Sequence, residues 1–205
     1  FAPTESERID KLDKKLAAQS ANRQGELMEQ SDAGQSSLST LDRMRTLNEQ
    51  APSGAGASLL NMGDAIVNAA TFGKGGLGVD SSAGGEMESL IAAENINTMA
   101  LMKGAPSDRD SALVAKSTIS LDDSEPTRLT KINIREGWAK NKQARIHRQQ
   151  QLIDSGVKAA EAQQQSAQEF PLPDDETLAA GGYDPANSMS GMSTEQLQNM
   201  LSGMP

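Results

Sequence analysis

Two helix starts and the turn between them lie in the stretch from Gly104 to Arg128, and they constrain the fold more than any other feature of the chain. Ser107 and Asp110 have the spacing of an N-cap hydroxyl and an acidic residue at the third helical position. Ser124 and Pro126 supply a second cap and a proline suited to a first helical turn. The stretch therefore predicts two helices joined by a turn, and it contains no recognisable catalytic motif.

The supply of core-forming residues favours helices over sheet. Leu, Ile, Val and Phe together make about 17% of the 205 residues, and aromatic residues make only 2%. Strands draw on β-branched and aromatic side chains, whereas Ala, Leu and Met favour helices. The fraction of core residues is low enough to favour partial disorder, but the net charge of -9 is modest. We therefore predict an all-α, partly disordered chain of several helices joined by Gly-rich linkers, with little or no sheet.

Breaks in the hydrophobic pattern divide the chain into four predicted parts. The N-terminal part is either one long interrupted helix, starting near residue 5 at a capping box, or an antiparallel helical hairpin. A short apolar helix between Gly-rich linkers comes next, then a central helical region that includes the turn at 104–128, and then an acidic, loop-rich tail with a short terminal helix that opens at a capping box from Ser193. In this order the parts are residues 1–50, 51–85, 86–169 and 170–205.

The positions of the glycines lead to expectations about a loop and about a long helix. Residues 73–85 contain six glycines, which predicts a loop, and a helix is expected to begin only near Met87. A long basic helix is expected from Thr127 to about Gln168, with Gly137 and Gly156 as its weak points.

The sequence offers no candidate catalytic residue, cofactor site or metal site. The chain has no cysteine, and its one histidine, His147, cannot form a histidine metal pair and is interpreted as a solvated helix residue. The glycine run at 73–78 lacks the GxxxxGK[ST] order of a phosphate-binding loop. No apolar run reaches the length that spans a bilayer. The start at Phe1 is consistent with a processed precursor, with a segment of a longer protein and with a trimmed chain.

The segment from Leu59 to Phe72 is the most apolar part of the chain. Its apolar residues recur at helical spacing over about four turns. Burial against other helices, contact between copies and contact with a membrane surface all fit this pattern. The candidate oligomer or membrane contacts are Leu59, Met62, Ile66 and Val67.

A basic cluster lies between Thr127 and Arg148, where seven cations face the single acid Glu136, so that this segment carries a net charge of +6. Such a helix can bind nucleic-acid phosphates without reading sequence, or it can pair with acidic segments of its own chain or of a neighbour. The candidate contacts to DNA or to an acidic partner are Arg128, Lys131, Arg135, Lys140, Lys142, Arg145 and Arg148.

The stretch from about Glu86 to Gln151 resembles the structural proteins of tailed-bacteriophage virions, including internal or DNA-ejection proteins and proteins associated with the portal and tail. The resemblance rests on the order of five features. They are an Ile/Leu/Met-rich helix, a Gly-Ala-Pro turn at 104–106, Ser-Asp-x-Asp-x-x-Leu at 107–113, Leu-Asp-Asp at 121–123 and Ser-x-Pro at 124–126.

The resemblance implies a non-enzymatic virion component that acts through helical oligomerisation as a ring or tube. Its implied partners are copies of itself and the portal, tail or ejection proteins, together with non-specific contact to DNA and transient contact with a membrane. Its implied location is the virion, and the host cell envelope after ejection. A secreted helical component or substrate of a bacterial export apparatus would share the same composition and stays open, with an enzyme as the third class.

Overall fold

The computed structural model describes residues 5–58, 81–103 and 106–190, and within these ranges the chain forms helices and no strand. The all-α prediction is therefore confirmed. The helices are α1 (Glu5–Leu47), α2 (Ser81–Leu101), α3 (Asp108–Lys116), α4 (Glu125–Asp154), α5 (Ala159–Glu169), α6 (Asp175–Ala180) and α7 (Pro185–Ser190). The candidate contacts Leu59, Met62, Ile66 and Val67, the glycine run at 73–78 and the capping box from Ser193 lie outside the described residues.

Helix α1 is one continuous helix, so the expected interruption is absent and the chain does not form the alternative hairpin here. It runs without a break through the polar, small-residue patch at 31–37. This patch lies where neighbouring helices approach, because the Ser37 hydroxyl donates to Glu94 Oε1 on α2 at 3.0 Å. A Cβ on Gly34 would lie 2.6 Å from Gln143 Cγ on α4. The small residues therefore permit close packing here.

The prediction that residues 73–85 form a loop is wrong for its last part, since α2 begins at Ser81 and includes Gly84 and Gly85. The neighbouring side chains explain the difference. Ala83 and Met87 are buried in the core cluster that α2 shares with α1. Burial of this face offsets the helix penalty of glycine, which is about 1 kcal/mol per residue relative to Ala.

The predicted long basic helix from Thr127 to Gln168 is two helices in the structure, α4 and α5. Gly156 adopts a φ of 94°, and the Val157 N–H donates to the Leu152 carbonyl at 2.9 Å, which ends α4. The other expected weak point, Gly137, lies inside α4 and does not interrupt it. A Cβ there would lie 2.5 Å from Leu178 Cδ2, so Gly137 makes room for α6.

The tail predicted to be loop-rich contains α6 and α7 within its described part, residues 170–190. Asp174 caps α6, since its Oδ1 accepts from the Thr177 N–H at 2.7 Å. Leu178 is fully buried and Phe170 is buried. Both helices contact α4, so this part of the tail is docked against the core.

The two helix starts predicted in the stretch at 104–128 are present. Ser107 and Asp110 form a complete capping box at α3, with each side chain bonded to the backbone N–H of the other. The Ser124 hydroxyl accepts from the Thr127 N–H at the start of α4, where Pro126 occupies the first turn. These caps fix the direction of α4, which contacts α1, α5, α6 and α7 and so forms the centre of the fold.

Candidate functional site in and around the cationic helix

All seven predicted cationic contacts lie on α4, and each one contacts groups of its own chain. Four of them form ion pairs. The pairs are Lys131–Asp123 at 2.6 Å, Lys140–Glu136 at 2.7 Å, Lys142–Asp110 at 3.0 Å and Arg148–Glu169 at 2.5 Å. The other three, Arg128, Arg135 and Arg145, donate to backbone carbonyls. Most of the positive charge of the basic cluster is therefore engaged by groups of the chain itself.

Arg128 forms hydrogen bonds with the backbone that follows the C-terminal end of α1. Its side chain is 0% exposed, and its Nε donates to Asn48 Oδ1 at 2.6 Å. Its two terminal nitrogens reach four carbonyls, those of Asn48, Ala51, Pro52 and Leu121, at 2.8 to 3.5 Å. The last carbonyls of a helix have no partner within the helix, so a buried guanidinium is a suitable donor at this place.

Arg135 has the same role at the end of α3. Its Nε donates to the Ser117 carbonyl at 3.2 Å and its Nη2 to the Val114 carbonyl at 3.1 Å. Its Nη1 donates to the Thr98 hydroxyl at 2.5 Å, and Thr98 in turn donates to Glu94 Oε1 at 3.1 Å. A buried polar network therefore connects α4 through α2 to α1.

Glu94 is the acidic member of this network. Burial raises its pKa to about 7, although hydrogen bonds from Ser37 and Thr98 and the charge of Arg135 oppose the shift. Its Oε2 is buried and has no hydrogen-bond partner among the described residues. The carboxyl group therefore keeps its proton to a higher pH than an exposed glutamate does.

Stability should fall as the pH rises from 5 to 8, because the pKa of Glu94 is higher in the folded chain than in the unfolded one. Below the unfolded pKa both states hold the proton, and between the unfolded pKa and the folded pKa of about 7 mainly the folded state does so. Replacing Glu94 with Gln should remove about 2 kcal/mol of this pH dependence. Urea unfolding followed by circular dichroism at pH 5 and pH 8 measures it. If the free energy of unfolding changed equally between pH 5 and pH 8 in the variant and in the unchanged protein, the role assigned to Glu94 would be contradicted.

Asp110 lies at the start of α3 and joins it to α4. Its Oδ1 accepts from Trp138 Nε1 at 2.9 Å, and its Oδ2 accepts from Lys142 and from the Ser107 backbone N–H and hydroxyl. Burial alone would raise the pKa of Asp110, but the Lys142 charge and the bonds from Ser107 and Trp138 outweigh it and lower the pKa to about 2. Asp110 is therefore ionised and both of its oxygens accept hydrogen bonds within the fold. It joins α3 to α4 and is not suited to act as a general base.

A cleft of about 180 Å³ lies beside Asp110, between α1, α4 and α5. Lys142, Arg145 and Gln149 line it from α4, at positions that share one helix face. Burial lowers the pKa of both Lys142 and Arg145, although Asp110 acts in the opposite direction on each. Cationic and amide donors of the described chain therefore converge on an open volume at this cleft.

A second groove, of about 340 Å³, lies between α1 and α4. Leu27, Met28 and Ile146 give it an apolar lining, and Met28 is 68% exposed. His147 lies at its edge, where it is exposed and shares a hydrogen bond with Gln151. His147 is thus a solvated helix residue.

The described side chains offer no grouping of three or more His, Asp or Glu residues that could hold a metal ion. The described helices also include none that is long and apolar enough to cross a membrane. What the site can do chemically is donate hydrogen bonds and present positive charge.

Sequence reasoning found the cations but not their partners. It interpreted Asp110 only as a capping residue, and it gave Glu94 and Gln149 no role. The i,i+3,i+7 spacing of Lys142, Arg145 and Gln149 was a usable signal for a shared face. Nothing local to the sequence indicated which face would border a cleft.

Comparison with known proteins gives no match to this chain, whether against family models, curated proteins or solved structures.

Proposed function

We propose that this chain is a non-enzymatic structural component of a tailed-phage virion, a DNA-ejection protein or a protein associated with the portal and tail, which acts through helical self-association. The observation that carries the proposal is the N-terminal part of α1. It is helical, its described side chains are exposed, and its sequence carries apolar residues at helical spacing.

The first part of α1, residues 5–22, is called the α1 extension here. Among the described side chains of α1, Leu27 is the first that is buried. Residues 5–22 form a length of helix of about 27 Å at the rise of an α-helix. Ile9, Leu12 and Leu16 recur there at spacings that place them on one face of the helix. An apolar helix face of this length favours packing against a second helix.

The contacts of α4 also favour protein partners over nucleic acid. Arg128 and Arg135 are buried, and four other cations of the basic cluster are already paired with carboxylates of the chain. Binding to phosphates depends on cations that are free to displace counterions. We therefore expect the chain to associate with protein partners mainly through helix packing and less through the basic cluster.

Replacing Leu12 and Leu16 together with Glu should weaken self-association at least tenfold. The unfolding temperature should stay unchanged, because the described side chains of this part of α1 are exposed. Sedimentation velocity over a concentration series measures the association. The matched control replaces Ala18 and Ala21 with Glu, which adds the same charge at exposed positions on the other side of α1. Equal weakening by both pairs would indicate a general effect of charge and would count against the proposed face.

A further inference from the structure

We propose that the cleft lined by Lys142, Arg145 and Gln149 binds a phosphate-class oxyanion. This site is separate from the α1 extension, and nothing in its argument depends on how copies of the chain associate. Three properties of the cleft support it: an arginine with uncommitted donors, a buried amide without a partner, and an excess of positive charge.

Among the four arginines of α4, Arg145 makes the fewest hydrogen bonds with described residues. The structure gives it one hydrogen bond, from Nε to the Phe170 carbonyl at 2.7 Å. No described carboxylate lies within ion-pair distance of its guanidinium. By contrast, Arg128 makes five hydrogen bonds and Arg135 makes three. The two Nη groups of Arg145 therefore remain available as a fork, the geometry that suits two oxygens of one anion.

Gln149 lies one helical turn after Arg145 on the same face, and it is 5% exposed. Its Nε2 is buried and has no hydrogen-bond partner among the residues that the structure describes. Buried amide donors are almost always bonded, since an unpaired one has lost its water without replacement. An acceptor in the cleft that Gln149 lines would satisfy this group.

The charge around the cleft is mainly positive. Arg23, Lys103, Lys142 and Arg145 line it, against the single carboxylate of Asp110. The oxygens of Asp110 already accept from Trp138, Ser107 and Lys142, so this carboxylate is balanced within the fold. Arg23 and Lys103 pair with Glu26 and Glu29 at the exposed rim. The uncompensated charge therefore lies deeper in the cleft, at Arg145.

The size and the arrangement of donors favour a tetrahedral oxyanion. The cleft volume of about 180 Å³ is well above the 10–15 Å³ or so that a single water requires. The available donors are the side chains of Lys142, Arg145 and Gln149 along one face of α4. The hydroxyls of Ser107 and Ser166 also line the cleft, but they already donate to Asp110 and to the Gln163 carbonyl. A tetrahedral anion can accept from the three α4 side chains through different oxygens, whereas a carboxylate presents its two oxygens in one plane.

Isothermal titration calorimetry of the full chain at constant ionic strength tests the site. Inorganic phosphate should bind saturably with one-to-one stoichiometry, and acetate should bind at least tenfold more weakly. Glycerol phosphate separates the sources: affinity at least equal to that of inorganic phosphate indicates the phosphoryl group of a larger molecule, and weaker affinity indicates the free ion. Absence of saturable phosphate binding at millimolar concentrations, or equal affinity for acetate, would overturn the proposal.

Two substitutions and one control assign the binding to this cleft. Arg145→Gln should weaken phosphate binding at least tenfold, and Gln149→Met, which keeps the volume but removes the donor, should weaken it severalfold. The second variant keeps the test decisive even where loss of the Arg145 bond to Phe170 disturbs folding. Arg148→Gln, on the same helix but outside the cleft lining, should bind as the unchanged protein does. Equal affinity in all three variants would refute the assignment.

Discussion

Replacing Trp138 with Ala is expected to lower the free energy of unfolding by about 3–5 kcal/mol, the range for deleting a large buried aromatic side chain. Trp138 is 0% exposed and belongs to the cluster that also contains Leu101, Leu113 and Leu178, which come from three separate segments. The substitution would open a cavity where these segments meet. It would also remove the hydrogen bond to Asp110 Oδ1 and leave that buried oxygen with one donor fewer.

Urea unfolding followed by circular dichroism measures this loss without relying on tryptophan fluorescence. Trp138→Phe is the matched control, since it keeps most of the ring volume and removes the N–H. Its cost should be smaller, about 1–2 kcal/mol for one buried hydrogen bond to a charged group and the reduced volume. A cost below about 1 kcal/mol for Trp138→Ala would be inconsistent with a buried position at the centre of the core.

Replacing Arg128 with Ala should be comparably damaging, with a loss of about 3–5 kcal/mol, because each buried carbonyl left without a donor costs about 1–3 kcal/mol. Arg128 donates to the carbonyls of Asn48, Ala51 and Pro52 after the end of α1, and to that of Leu121 before α4. Arg128→Lys should recover only part of the loss, since an ammonium group cannot reproduce the planar fork.

Arg43→Ala is the control for loss of an arginine, because Arg43 forms an exposed pair with Glu86 at 2.6 Å. Exposed pairs contribute little to stability, so this variant should unfold at nearly the same urea concentration as the unchanged protein. If Arg128→Ala were as mild as Arg43→Ala, Arg128 would be a surface cation available to an outside partner, and its assigned structural role would be wrong.

The features that could be predicted from sequence are those set by neighbouring residues. The capping spacings at Ser107 and Ser124 predicted the starts of α3 and α4, since a cap depends on contacts within one turn. The all-α class could also be predicted, because a composition poor in β-branched and aromatic residues favours helices over strands. By contrast, the loop expected at residues 81–85 is part of α2, because the burial of Ala83 and Met87 against α1 outweighs the local preference of glycine.

The roles of individual cations depended on tertiary contacts and so could not be predicted. The local sequence does not distinguish the roles of three arginines of α4. Arg128 bonds the backbone after the end of α1, Arg145 lines a cleft and Arg148 pairs with Glu169. Their different roles are set by residues that lie from about 20 to 80 positions away along the chain. The apolar residues of the α1 extension show the opposite limit, since their helical spacing can be recognised in the sequence but the sequence does not indicate what they pack against.

Sedimentation velocity of the unmodified full chain over a wide concentration range tests the central claim most directly, because self-association through α1 makes the sedimenting mass depend on concentration. We expect species of several copies that are lost in the Leu12→Glu, Leu16→Glu variant and retained in the Ala18→Glu, Ala21→Glu control. A compact monomer at every concentration, with the same sedimentation coefficient in all three proteins, would contradict the proposed function.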